Sequence, residues 1–259
     1  MLDELKIISV DLLDEYCSKV DDNLSAKFES LHDAEISTES FNFYTSVSAI
    51  ASSRIEGEQM EVDSYIKHKM LNIEYQSDLV QKPNDLYSAY IFAQNNSLTN
   101  SNFLSAHKLI SKHLLPINKQ GTYRKGNMLV MEHKTGRIQY EAAFGNEVEK
   151  LSDLLWHDIQ KLIKCELNHK QVFYFASFIH IVFVNIHPFE DGNGRAGRLL
   201  EKWFLAEKLG YKAWYVQSEL NYYTNVNEYY RNLNRLGVFF EKLDYTKAMP
   251  FLLMLPSSL

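Results

Sequence analysis

Proline and glycine are scarce in this chain, five and ten among 259 residues, which argues for helices and against a turn-rich β architecture. Cysteine is scarcer still. Cys17 and Cys165 form neither a metal-binding spacing nor a disulfide framework, and a reducing cytoplasm is the simplest setting. There is no basic excess to draw in nucleic acid, because the net charge is −6. No stretch approaches the roughly twenty apolar residues that cross a bilayer. The opening Met1-Leu-Asp-Glu-Leu-Lys6 has no basic segment ahead of a long apolar one, so no secretory signal is expected. The apolar tail Pro250-Phe-Leu-Leu-Met-Leu255 is too short for a membrane span and is expected to pack on the body or on a second copy.

What is present is the composition of an ordinary globular protein, 46% hydrophobic and 23% charged, enough for one large domain or two small ones. Residues 1–36 read as an acidic helical lead-in. Residues 40–56 carry Phe43, Val47, Ile50 and Ala51 at helical spacing and stop at Gly57, a C-terminal cap. A polar stretch at 76–85 follows, so the chain divides into a helical segment, 1–85, and a larger core, 86–259. Residues 102–115 form an amphipathic helix ended by Pro116. One departure from helix lies at 127–143, where Met128-Leu-Val-Met131 and Ile138-Gln-Tyr140 flank His133-Lys-Thr-Gly-Arg137. That pattern reads as a β-hairpin with Gly136 at its turn. Residues 171–186 are apolar on every face, the mark of a central buried helix, and 194–209 form the next helix, capped by Gly210.

Between those two helices lies His187-Pro-Phe-Glu-Asp-Gly-Asn-Gly-Arg-Ala-Gly-Arg198. Its segment Gly192–Gly197 matches the dinucleotide-binding pattern GxGxxG. The preceding apolar run is too long for one strand, His-Pro-Phe-Glu-Asp intervenes before the glycines, and no strand–helix alternation exists to build a parallel sheet. The stretch reads better as a phosphate site. A glycine loop entering a helix leaves backbone N–H groups pointed at one spot, reinforced by the helix dipole. Arg195 and Arg198 share a helix face and can grip successive phosphates, and Asp191 is placed for a magnesium ion bridging them. His187 can take a proton from an incoming hydroxyl, and Asn193 can donate to a phosphoryl oxygen. Taken singly, each residue has a bland explanation. The other eight histidines, His107 and His180 among them, read as ordinary core or surface residues. Co-location is what sets the twelve-residue stretch apart.

These residues resemble the Fic (Fido) family, whose motif HPFx(D/E)GNGRxxR is met at every fixed position by His187, Pro188, Phe189, Asp191, Gly192, Asn193, Gly194, Arg195 and Arg198. Gly121-Thr-Tyr-Arg124 and the hairpin resemble the family's lead-in and target-holding flap, although Glu141-Ala-Ala143 stands where many members have prolines. Glu228-Tyr-Tyr-Arg-Asn-Leu233 resembles the helix whose tyrosines, here Tyr229 and Tyr230, border the nucleotide base. The resemblance implies a mainly α, Fic-type helical bundle with one β-hairpin flap, its catalytic core at 86–259. It implies a protein adenylyltransferase moving AMP from ATP to a Ser, Thr or Tyr hydroxyl of a protein, and to itself. His187 would be the general base and Asp191 the Mg²⁺ ligand. Asn193 and the amides around Gly192 and Gly194 would hold the α-phosphate, and Arg195 and Arg198 the outer phosphates. The toxin-kinase branch typified by Doc carries Lys where Gly194 stands, so glycine favours nucleotidyl transfer.

Ser52-Ser-Arg-Ile-Glu-Gly57 resembles the family's inhibitory signature (S/T)xxxE(G/N), with Glu56 expected to occupy Arg198 and Ser52 and Gly57 completing the pattern. The expected partners are ATP with Mg²⁺, a protein substrate along the 128–140 hairpin, and a second copy of the chain in a homodimer, with no nucleic acid and no membrane. Alternatives are another nucleotidyl transfer, removal of AMP from a modified protein with Glu56 positioning water, and a nucleotide-binding regulator with little transfer activity.

Overall fold

The computed structural model describes residues 2–38, 41–131 and 138–259. Its helices are α1 (Leu13–Lys19), α2 (Leu24–Glu29), α3 (Phe43–Ile55), α4 (Val62–Leu71), α5 (Ser77–Gln94) and α6 (Asn100–Ile110). The hairpin β1 (Leu129–Met131) and β2 (Ile138–Glu141) comes next. Then follow α7 (Val148–Lys164), α8 (His169–Ile186), α9 (Asn193–Leu209), α10 (Ser218–Thr224), α11 (Val226–Asn234) and α12 (Met249–Leu252). The fold is the mainly α bundle with one hairpin that the sequence predicts.

Helix α8 is its axis. A capping box starts it, with Asn168 Oδ1 accepting from the Gln171 N–H at 3.0 Å and Gln171 Oε1 accepting from the Asn168 N–H at 3.0 Å. From Val172 to Phe183 every residue is buried, so apolar side chains on all faces find partners on all sides. Helix α9 crosses α8 closely because Gly197 has no side chain: a Cβ there would lie 2.8 Å from Val184 Cγ1. Helix α3 is also buried along its length, against α5 and α10, and it takes Ser46, Ser48, Ser52 and Ser53 into the interior with it. The irregular lead-in before α1 is held by one buried carboxylate. Asp158 on α7 accepts from the N–H groups of Lys6, Ile7 and Ile8 at 2.8 to 3.0 Å.

Several boundaries differ from expectation. The polar stretch 76–85 is no separator but the first half of α5, and the expected division at 85/86 falls inside that helix. Helix α6 stops at Ile110 rather than running to 115. Beyond it the backbone N–H of His113 donates to Asp85 Oδ2 at 3.1 Å and not to its own helix. The tail packs on its own chain, with Phe251, Leu252 and Leu255 fully buried in a core that runs from Ile8 to Leu255, which removes the argument for a dimer made from it. Among the described residues no helix is long and apolar enough to cross a membrane.

The hairpin pairs Leu129 with Glu141, Val130 with Tyr140 and Met131 with Ile138, with an irregularity between Val130 and Met131. The turn assigned to Gly136, and His133 to Arg137 with it, lies outside the described residues. The far edge of β2 is partly covered, because the Glu141 N–H donates to the Val238 carbonyl at 2.7 Å.

Gly197→Ala forces a methyl into the α8–α9 contact. It is expected to lower unfolding stability by about 1–3 kcal/mol, as overpacking does. Urea denaturation checks this, and an unchanged midpoint would show that the helices are not in the contact described.

Candidate active site

The motif begins where α8 ends. His187 closes the helix in the left-handed conformation, φ 54° and ψ 60°, rare for a residue with a side chain. Its N–H donates to the Phe183 carbonyl at 2.9 Å and its Nδ1 lies 3.1 Å from the Val184 carbonyl. A carbonyl can only accept, so Nδ1 carries the proton and Nε2 presents a lone pair. Burial pushes the imidazole down to about 4, helped by the Arg124 charge and opposed by the Val184 carbonyl, Glu56 and Asp191. His187 is therefore neutral at pH 7, the state a general base needs.

The loop from Pro188 to Gly192 is clamped from below. Phe189 is buried and lies flat against the His107 ring, centroids 3.5 Å apart at 11°. His107 donates from Nε2 to the Asp191 carbonyl at 3.0 Å and accepts at Nδ1 from the Gly121 N–H at 3.0 Å. Asn193 closes the loop on itself. Its Oδ1 accepts from the Phe189 N–H at 2.9 Å and its Nδ2 donates to the Phe189 carbonyl at 2.8 Å. The side chain expected to reach a phosphoryl oxygen is thus buried and engaged as a clasp.

Gly192 enters α9 at φ 80°, a left-handed turn that favours glycine, and no side chain caps the helix. The first-turn N–H groups, from Asn193 to Arg195, are left to an anion. The exposed Asp191 carboxylate is fixed at one oxygen by the Gly192 N–H at 2.6 Å. Among the described residues no cluster of three acidic, His or Cys side chains surrounds it. One carboxylate fits a Mg²⁺ that arrives with phosphates and water, not one held by protein alone.

Both motif arginines are occupied, Arg198 by the end of α3 and Arg195 by the turn that follows it. Arg198 is fully buried. Its Nη2 donates to Glu56 Oε1 at 2.6 Å and to the Ser52 carbonyl at 3.1 Å, and its Nε donates to Ser52 Oγ at 2.8 Å. Burial alone would raise the Glu56 carboxyl, but Arg198 and Arg195 outweigh it and hold it below the ordinary glutamate range. Gly57, at φ 90°, ends the helix just after Glu56. Gly194 is bare where the carboxylate sits, and a Cβ there would meet Glu56 Oε1 at 2.2 Å. Arg195 is held separately, its Nη2 donating at 3.0 Å to Glu58 Oε1, which Lys82 also contacts at 2.9 Å. The Arg195 Nε is buried and without a partner among the described residues.

The two tyrosines expected side by side at the base both line the cavity that holds His187, at different depths. Tyr229 is 1% exposed and sits beneath Arg198, whose Nη1 donates to its hydroxyl at 3.2 Å. That hydroxyl lies 3.0 Å from His180 Nε2, while His180 Nδ1 lies 2.8 Å from Glu201 Oε2. Tyr230, 38% exposed, lines the same cavity as His187 and donates to the Ile55 carbonyl at 3.3 Å. This cavity, about 800 Å³, is also lined by Glu56, Gly194, Arg198 and the hairpin residues Val130 and Met131.

Glu58, His107, Arg124 and Tyr140 were not read as site residues from sequence. Arg124 ends the Gly121–Arg124 segment and Glu58 directly follows Gly57, so both lie in or next to sequence patterns that point to the site. His107 had no sequence signal, because its partners lie more than a dozen and more than eighty residues away.

Residues 97–205 match the model of the Fic/DOC family. A curated relative, the protein adenylyltransferase Fic of Aedes aegypti, is 31% identical over 137 residues. The match covers 51% of this chain and 24% of that one, so it spans about a quarter of the relative's length. A solved Fic family protein from Desulfovibrio desulfuricans is similar with a TM-score of 0.66 at 20% identity, over 96% of this chain and 70% of that one. A Fic domain-containing signaling protein from Bacteroides thetaiotaomicron gives 0.65 at 16%, over 95% and 91%. At these identities the structural likeness concerns the fold.

The placement of His187 has a direct readout. NMR titration of the labelled imidazole is expected to find it neutral and protonated at Nδ1 throughout pH 5.5 to 8, titrating only near about 4. A midpoint close to the ordinary value of about 6.5 would contradict its burial.

Proposed function

We propose, from the premise that residues 97–205 of this chain form a Fic/DOC family domain, that it is an autoinhibited protein adenylyltransferase. The observation that carries the reading is the joint lining of one cavity by a neutral His187, the uncapped start of α9 and a buried Arg198 held by Glu56. In this reading Nε2 of His187 takes the proton of a target Ser, Thr or Tyr hydroxyl. The oxygen attacks the α-phosphorus of ATP, the bond to the β-phosphate bridging oxygen breaks, and pyrophosphate leaves. Amides at the start of α9 hold the α-phosphate, and Arg195 and Arg198 neutralise the leaving phosphates. Asp191 would be the protein ligand of a Mg²⁺ bound with the nucleotide, which would supply charge neutralisation to the phosphates. Tyr229 and Tyr230 border the base. The target lies extended along the 128–140 hairpin, next to the cavity wall formed by Val130 and Met131.

Glu56 restrains this site by occupying the Arg198 Nη2 that the γ-phosphate needs, and the absent Cβ of Gly194 leaves room for it. ATP bound beside that pair lacks the in-line alignment on which phosphoryl transfer depends. Because α3 is buried along its length, release involves the Glu56 side chain and the final turn rather than departure of the helix.

Glu56→Gly is expected to raise transfer of labelled AMP, to the protein itself and to lysate proteins, by about tenfold or more, since it removes a competing state. An unchanged or lower rate sinks the inhibitory role. No label at all, with ATP still bound, leaves the chain a nucleotide-binding regulator. In the Glu56→Gly background, His187→Ala should lower transfer by about 10²–10⁴-fold, the usual worth of a general base, with little change in ATP affinity by calorimetry. Retained transfer would remove His187 from the mechanism.

A further inference from the structure

Helix α8 ends in the protein interior, where its last carbonyls cannot turn to water and must be satisfied by protein groups. The Phe183 carbonyl accepts from the His187 N–H and the Val184 carbonyl from His187 Nδ1–H. The Asn185 carbonyl accepts from the Tyr140 hydroxyl. Arg124 supplies the rest. Its Nη2 donates to the Ile186 carbonyl at 3.1 Å, its Nε to the His187 carbonyl at 2.7 Å, and its backbone N–H to the Pro188 carbonyl at 2.9 Å. The same guanidinium also binds the Gly126 carbonyl at 2.5 Å and the Ala143 carbonyl at 2.6 Å, the two arms that bracket the hairpin.

Arg124 is 3% exposed, and among the described residues its guanidinium is met by backbone carbonyl oxygens rather than a carboxylate. Its charge is balanced by carbonyl oxygens at the negative end of α8. A lysine could not do the same, because a point ammonium cannot reach three chain segments in one plane as a guanidinium fork does. The left-handed backbone of His187 is unfavourable for a residue with a Cβ and persists only where its surroundings over-determine it. Arg124 binds the carbonyl on either side of that residue's φ and ψ rotations, so it is the group that fixes them.

We propose that Arg124 is a positioning residue. It locks the His187 backbone so that Nε2 faces the reacting hydroxyl, and it ties that aim to the hairpin on which the target lies, with Tyr140 as its second tether. This rests on the adenylyltransferase reading for its effect on turnover, and on the contacts alone for its effect on the ring.

The test uses Arg124→Lys, Arg124→Met and Tyr140→Phe in the full chain, with turnover measured in the Glu56→Gly background. Arg124→Lys should keep the KM for ATP within about twofold while kcat falls by about 10–100-fold, as a misplaced base does. Arg124→Met should lose more, so that lysine rescues part. Tyr140→Phe, which removes one tether and keeps the ring, should lower kcat by about 2–10-fold and decides the matter where the Arg124 variants do not fold. In the nucleotide-free protein, ¹⁵N spectra of the His187 ring should pass from a single Nδ1–H tautomer to a mixture in Arg124→Lys. That measurement needs no turnover, so absence of AMP transfer overturns the function and leaves the positioning role to the ring signal. Unchanged kcat together with an unchanged tautomer overturns the proposal, as does a loss shared equally by kcat and ATP binding.

Discussion

Arg198 has no exposed surface, and a buried guanidinium must find acceptors inside the protein or it does not stay there. Much of the architecture answers that demand. Ser52 gives it a hydroxyl and a carbonyl, Glu56 a carboxylate, and Tyr229 a phenol oxygen whose own O–H faces His180 Nε2, with His180 Nδ1 in turn facing Glu201. Tyr222 completes Glu201 from the far side, at 2.9 Å. An oxyanion such as a phosphate group can replace Glu56 in this arrangement without leaving the charge unpaired. The same contact is a structural requirement and, in the proposed function, the place where ligand and protein would compete.

Helix α9 repeats this logic one turn on. Lys202 is fully buried and is met by Ser48 at 2.7 Å and by Glu219, which also accepts from the Tyr90 hydroxyl at 2.5 Å. Ser48, Ser52 and Glu56 lie four residues apart, so one stripe of α3 reads along the buried cations of α9. Polar complementarity, more than apolar burial, sets the register between those two helices. A slip of one turn would leave buried charges without partners, which is far more costly than a slipped apolar contact. Helix α3 is thus an integral part of the core.

Much of the fold was legible because its signals are local. Twelve consecutive buried residues in α8, the Gly57 and Gly210 caps, and the paired strands 129–131 and 138–141 follow from periodicity and cap chemistry that neighbouring residues carry between them. The helix over 76–85 was not legible for a related reason. Its polar, proline-containing start looks like a linker until α6 and α3 are there to cover Val80 and Leu86, which are buried in the folded chain. The overlong reading of α6 failed because Asp85, far away in sequence, takes the N–H that would have extended it.

The sequence by itself determined the chemistry of the site: a histidine at a helix end, a glycine turn into another helix, two arginines on its first turns, and a glutamate with a serine one turn before it. These are decisions of covalent order and helical pitch. Tertiary structure decided which of those groups face the cavity and which support them. Asn193 became a clasp, Tyr229 a deep cavity wall that also supports Arg198, and Tyr230 an outer wall, while His107 acquired a role that nothing in its neighbours announces. The physical reason is that a side chain's task is set by the partner that satisfies it. Here Glu56 and Arg198 lie 142 residues apart in sequence, Arg195 and Glu58 lie 137 apart, and Arg124 and His187 lie 63 apart.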